Sequence, residues 1–244
     1  MADSREGVEA IVLAAGQGDR LGLGPKAFLR LAGKTLLDRA IGVMRSVAER
    51  VIVGVPEELV GQVQAIHAGP DVLVLAGGPT RLDTTRRLLA ASSAPLIVQH
   101  DVVHPFVSVA LARQVVAAAR RRGAAMAVAP VAEHVFRADG DLVERVSSRG
   151  GLWLARKPLA FARGALRLTE APRDGDSQTT SAPAPLDAGT PELLFAAGQP
   201  VAIVPVKAWN IKISSPPDWA LAQAIDALWR AGQLDDGPDG PGTG

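Results

Sequence analysis

Two glycine-rich loops, one strand-end aspartate and a few fixed cations are the residues here whose types and spacing could do chemistry. The apolar run Ala10–Leu13 opens into a loop with glycines at 16, 18, 22 and 24, and that loop carries Arg20 and Lys26. Glycines let backbone N–H groups approach an anion closely, and cations neutralise it, so the loop reads as a phosphate grip. It is not a Walker loop, because Lys26 lies between Pro25 and Ala27 and no hydroxyl follows to hold magnesium. Nor is it the dinucleotide fingerprint: Gly16, Gly18 and Gly22 are spaced Gly-x-Gly-x-x-x-Gly, and Asp38 falls inside a helical pattern rather than at a strand end.

Three further stretches combine similar residue types. Ala76-Gly77-Gly78-Pro79-Thr80-Arg81-Leu82-Asp83-Thr84-Thr85 joins two glycines to the cation Arg81 and the hydroxyl of Thr84. Taken alone it is equally a helix start, with Thr80 or Asp83 as cap. His100-Asp101-Val102-Val103-His104-Pro105 ends an apolar run, where Asp101 is either a magnesium ligand or hydroxyl acceptor, or a turn former. Trp209-Asn210-Ile211-Lys212 adds one more cation, which in isolation is an ordinary surface lysine.

Composition narrows the classes. The chain has 244 residues, 48% of them hydrophobic, a net charge of +1 and no cysteine. That supports a sizeable core and excludes disulfides, thiolate metal sites and cysteine nucleophiles. Near-neutral charge argues against general nucleic-acid or membrane-surface binding, so any anion site is local. The polar N-terminus carries no signal-peptide core, and no apolar run approaches the roughly 20 residues of a membrane span. A cytoplasmic protein is expected.

The elements that must position these residues alternate. Strands are expected at Glu9–Leu13, Arg50–Val55, Val72–Leu75, Leu96–Gln99, Ala124–Pro130 and Val201–Val204, with helices at Thr35–Val47, Glu57–His67, Arg81–Ala91 and Ser108–Arg121. A short strand at Ile211–Ile213 and a helix from Pro217 to about Ala231 follow. The pattern predicts an α/β fold, Rossmann-like, with a mostly parallel central sheet. Val131–Trp153 alternates polar and apolar residues around an Asp139-Gly140 turn and reads as a projecting β-arm. Residues 171–191 read as a mobile loop beside the site and 232–244 as a disordered tail, leaving 1–231 as one domain.

The opening loop, Leu-Ala-Ala-Gly-x-Gly-x-Arg-x-Gly…Pro-Lys, resembles the signature of the sugar-phosphate nucleotidyltransferases. With Gly-Gly-x-x-Arg, His-Asp-x-x-x-Pro, Arg149-Gly150-Gly151-Leu152-Trp153 and Asn-Ile-Lys in order, the chain from about Val8 to Trp229 resembles the 2-C-methyl-D-erythritol 4-phosphate cytidylyltransferase family. It is also similar to the related ribitol-5-phosphate cytidylyltransferases. The resemblance implies transfer of CMP from CTP to a polyol phosphate with Mg2+ and release of pyrophosphate. It assigns nucleotide binding to Ala14, Ala15, Gly16, Gly18, Gly77, Gly78, Arg81, Thr84 and Asp101, with Asp101 also the metal ligand. Catalytic cations are Arg20, Lys26, Arg149 and Lys212. Arg149 would reach the partner's site from an interlocked arm, making the unit a homodimer.

The acceptor side departs from the family pattern. His104 stands where an arginine is usual, Glu133-His134 replaces an Asp-Thr pair, Lys157 replaces a threonine, and Trp209 replaces the aspartate before Asn-Ile-Lys. His104, His134, Lys157 and Trp209 are therefore the expected acceptor-binding residues. Both histidines would titrate near neutrality, weakening acceptor binding as pH rises. Three readings follow: the methylerythritol phosphate enzyme, an enzyme for another polyol phosphate or phosphonate, or a nucleotide-binding protein with little catalysis. Guanylyl transfer on a similar fold is a fourth.

Overall fold

A computed structural model describes residues 5–18, 21–67, 69–166 and 189–234. Arg20, nearly all of the expected 171–191 loop and the tail from 235 onward lie outside the described residues.

The chain opens with β1 (Val8–Leu13), then a small antiparallel pair, β2 (Arg30–Leu31) and β3 (Lys34–Thr35). Helix α1 (Leu36–Arg45) begins at a capping box in which Thr35 and Asp38 exchange side-chain and backbone bonds. There follow β4 (Arg50–Val55), α2 (Val60–His67), β5 (Val72–Ala76), α3 (Arg81–Ala90), β6 (Leu96–Asp101), α4 (Val109–Arg122) and β7 (Ala124–Pro130). The arm is β8 (Val135–Asp139) and β9 (Leu142–Ser147). The chain then returns through β10 (Trp153–Ala162) and ends with α5 (Thr190–Ala196), β11 (Ala202–Pro205) and α6 (Pro216–Arg230).

Seven strands form one sheet in the order β11-β7-β10-β6-β1-β4-β5. All neighbours are parallel except β10, which runs antiparallel to both β6 and β7. The mostly parallel sheet expected from the apolar runs is therefore observed. Helix-forming segments cover both faces. One face packs Leu36, Ile41, Met44, Val115 and Trp229, with Phe106 edge-on to Trp229 at 5.0 Å. The other packs Ile11, Ile97, Phe161, Leu88 and Leu194.

Strand β10 was not anticipated. Arg156-Lys157-Pro158 interrupts its apolar run, and a proline inside a run argues against a central strand. The sheet tolerates it because the pairing with β7 is irregular between Ala155 and Leu159, so the proline sits where the ladder is already broken. Ile211–Ile213 is not a strand: Ile213 makes a single backbone bond to Val103 at 2.8 Å and is buried as an anchor instead. Helix α5 also escaped the sequence reading, at the edge of a stretch whose composition speaks for a loop.

The arm is as expected. β8 and β9 pair only with each other, around a turn in which Gly140 takes φ +59°. Phe136, Leu142, Val143 and Val146 on it are all exposed.

Candidate active site

Parallel pairing brings the carboxyl ends of β1, β4, β5 and β6 to one edge, where open α/β sheets bind ligands. Leu13 lies level with Asp101 on one side and Gly54 on the other. Beyond that edge is a cleft of about 390 Å³, lined by residues that include Ala15, Gly16, Lys26, Thr80, Arg81 and Asp101.

One wall is where two loops touch. Ala14 N–H donates to Gly54 O at 2.8 Å, and Gly77 N–H to Val55 O at 2.7 Å, so both loops leave the sheet in register. A Cβ on Gly77 would stand 2.4 Å from the Ala15 Cβ, so only glycine permits this approach. Gly78 N–H donates to Thr84 Oγ1 at 3.0 Å, and that hydroxyl lies 3.1 Å from Thr80 O, to which it can donate. Thr84 lines the cleft, and its hydroxyl holds the Gly77-Gly78 loop in shape. Thr80 caps α3, accepting from Asp83 N–H at 3.0 Å, so the capping role and the loop role coexist.

Gly18 closes the opening loop on itself. It has φ +84°, and a Cβ there would meet Gly24 O at 2.2 Å. Lys26 follows, its Nζ donating to Ile213 O at 3.1 Å and Ser214 O at 3.3 Å. Behind that segment, Asp218 accepts from Ser214 N–H and Ser215 N–H, each at 2.8 Å. Burial would raise the Asp218 pKa, but these bonds and nearby Lys26 together hold it below its usual value. Asp218 was missed from sequence, although Ser215-Pro-Pro-Asp218 is a capping-box pattern.

The floor is charged. Asp101 is buried, and Arg81 Nη2 donates to its Oδ2. Its Oδ1 has no hydrogen bond and lies 3.8 Å from the Lys157 ammonium. Burial raises the Asp101 pKa, yet Lys157, Arg81, His104 and His100 outweigh it and hold the carboxyl at about 2. Lys157 is itself lowered to about 8 by burial, against the opposing pull of Asp101. Asn210 Nδ2 donates to the Lys157 carbonyl at 3.2 Å and ties this strand to the Lys212 segment.

The expectation that His104 titrates near neutrality fails. His104 is 3% exposed, and burial pushes it down to about 3 despite Asp101, so it is neutral at physiological pH. His100 behaves likewise, at about 4. His134 is exposed on the arm, its ring 6.3 Å from that of Phe136, and is not part of the cleft within one chain. Arg149 is also exposed, its Nη1 donating to Ala132 O at 2.6 Å at the base of the arm. Trp209 is partly buried against the larger core with Lys207 Nζ 5.1 Å from its ring centre. Lys212 is exposed and close enough to act electrostatically on Lys157. The structure thus gathers Ala15, Gly16, Lys26, Gly78, Arg81, Thr84 and Asp101 around one cleft, with Lys157 behind Asp101.

Comparison with known proteins gives the same direction. The family model for 2-C-methyl-D-erythritol 4-phosphate cytidylyltransferase matches residues 8–227. A protein of that name from Thermus thermophilus is 38% identical over 226 residues, covering 92% of this chain and 99% of its own. One from Deinococcus radiodurans is 35% identical over 216 residues, covering 88% of each. A crystal structure of the Thermus thermophilus protein superposes with a TM-score of 0.68 at 33% identity, over 89% of this chain and 98% of that one. With the family model spanning nearly the whole fold, the chain belongs to the 2-C-methyl-D-erythritol 4-phosphate cytidylyltransferase family.

Proposed function

We propose that this protein is a cytidylyltransferase that moves CMP from CTP to 2-C-methyl-D-erythritol 4-phosphate and releases pyrophosphate. The observation that carries the reading is the cleft itself, where Lys26 and Arg81 flank a strand-end Asp101 beneath the Ala15–Gly77 contact. No helix among the described residues is long and apolar enough to cross a membrane.

In the reaction, an oxygen of the acceptor phosphate attacks the α-phosphorus of CTP. A new phosphorus–oxygen bond forms as the bond to the β-phosphate bridge breaks, and pyrophosphate leaves. The phosphate is already a nucleophile, so no general base is required. The work is electrostatic: two polyanions must meet, and charge grows on the equatorial oxygens. Lys26 and Arg20 bind the triphosphate with Lys212 nearby, and Ala14, Ala15, Gly16, Gly18, Gly77 and Gly78 shape the nucleoside pocket.

A resident magnesium held by the protein does not fit the described residues. They include no cluster of three or more His, Asp or Glu side chains, and Asp101 is already flanked by two cations. Magnesium is instead read as part of the substrate, arriving on the triphosphate oxygens with most of its own water.

The arm supplies the second subunit. A lone two-stranded hairpin is marginal in water, and one with Phe136, Leu142, Val143 and Val146 exposed calls for a covering surface. Interlocked arms of a homodimer provide it and bring Arg149 toward the partner's cleft. Pyrophosphate release is the test, with magnesium and CTP against methylerythritol phosphate, ribitol 5-phosphate and other polyol phosphates. Release with methylerythritol phosphate alone is expected; preference for another acceptor, for GTP, or release with none overturns the reading.

A further inference from the structure

Lys157 is the most enclosed cation at the site, and the transfer reaction as described leaves it without a task. Its side chain is 7% exposed and its ammonium has no hydrogen-bond partner. The register explains where it stands. Leu159 pairs with Gln99 in the antiparallel β10–β6 ladder, so two residues further along each strand Lys157 meets Asp101. Asp101 and Arg81 line the cleft, whereas Lys157 does not. The lysine therefore touches Asp101 from beneath, not the substrate.

The second cation on Asp101 is of another kind. Arg81 holds Oδ2, but its side chain is 46% exposed and stands on the first turn of α3, at the cleft wall. A buried carboxylate stripped of its counter-ions is strongly disfavoured. If Arg81 were the sole partner of Asp101, it could not leave. With Lys157 in place, Asp101 stays paired when the guanidinium departs. The planar guanidinium fork suits phosphate oxygens as well as it suits a carboxylate.

We propose that Lys157 is a positioning residue that holds the Asp101 carboxylate from beneath and so frees the Arg81 guanidinium to move onto the phosphates of an incoming nucleoside triphosphate. This rests on the cleft being a nucleotide site.

The test is a double-mutant cycle on CTP binding, read by calorimetry on the full chain with magnesium present. Arg81→Ala is expected to weaken CTP binding about tenfold or more. Lys157→Met weakens it by a similar factor, because Arg81 then stays on Asp101, and adding Arg81→Ala to that chain costs nothing further. Lys157→Gln, which keeps a polar end but not the charge, behaves in the same way and carries the cycle if the Met variant melts early. In the Lys157→Met/Asp101→Asn chain neither buried charge remains to hold Arg81, so CTP binds more tightly than to Lys157→Met alone. Additive losses, unchanged affinity in both Lys157 variants, or no recovery in the charge-free pair overturn the proposal. A parent chain that binds no CTP overturns the nucleotide reading instead, so the two failures are told apart.

Discussion

Lys26 donates from Nζ to the carbonyl of Ile213 at 3.1 Å, across a sequence separation of 187 residues. The bond joins the first loop of the chain to the segment that carries Asn210 and Lys212. The ammonium is thus held at the cleft edge. It also stitches together two loops far apart in the sequence.

Lys26→Ala is expected to cut pyrophosphate release by a factor on the order of 10²–10³, the usual cost of removing one positioned donor. The lost carbonyl bonds should destabilise the fold by only ~1–2 kcal/mol. Steady-state rates and a urea melt separate the two effects. Near-normal turnover in a folded variant would sink the assignment of the opening loop.

Gly77→Ala places a methyl 2.4 Å from the Ala15 Cβ, with the Thr84 hydroxyl at 3.1 Å on its other side. Relief means pushing the two loops apart, at ~1–3 kcal/mol of stability. The wall they form should then widen, and CTP affinity should fall. Gly16→Ala is the control for stability, since nothing lies within 4 Å of its added Cβ. Equal CTP dissociation constants for Gly77→Ala and the parent would show that the contact does not shape the nucleotide pocket.

Much of this frame was legible in the sequence, for local reasons. The apolar runs of β1, β4 and β6 are bounded by loops rich in glycine or charge, and the strand–helix alternation admits few topologies. Lys157 shows where legibility stops. Its meeting with Asp101 depends on β10 inserting antiparallel between β6 and β7, a non-local pairing that the Arg156-Lys157-Pro158 interruption conceals. His104 fails for a related reason. Its residue type suggests a neutral-range switch, but burial outweighs the pull of Asp101 and sets its charge, and burial is a property of the packed sheet. Asp218 was within reach, since Ser-x-x-Asp before an apolar helix is a local pattern.

Acid should destabilise the protein over a definite range. His100 and His104 are held at about 4 and about 3 in the fold, against about 6.5 when unfolded. Between those values the unfolded chain binds more protons than the folded one, so stability falls as pH drops from about 6.5 toward 4. The loss should reach a few kcal/mol for the pair. Asp101, held at about 2, adds its own loss only below about pH 4. Urea midpoints measured between pH 7 and 4 should show this slope, and His104→Gln should flatten it. A flat profile in the parent would mean that both histidines ionise within the folded protein.

Arg149 stands on the exposed arm, away from the cleft of its own chain, while Lys26 lies in that cleft. If the arms interlock, an active centre takes Lys26 from one subunit and Arg149 from the other. Homodimers of Lys26→Ala and of Arg149→Ala should each be nearly inactive. In a mixed dimer, one centre would carry both lesions and the other neither. Co-expression or unfolding and refolding of the two variants together should therefore restore substantial pyrophosphate release. Val143→Asp, which charges the exposed apolar face of the arm, should shift the protein toward monomer in analytical ultracentrifugation and abolish that restoration. If Arg149 acted within its own chain, each mixed dimer would hold two singly damaged centres, and mixing would recover nothing.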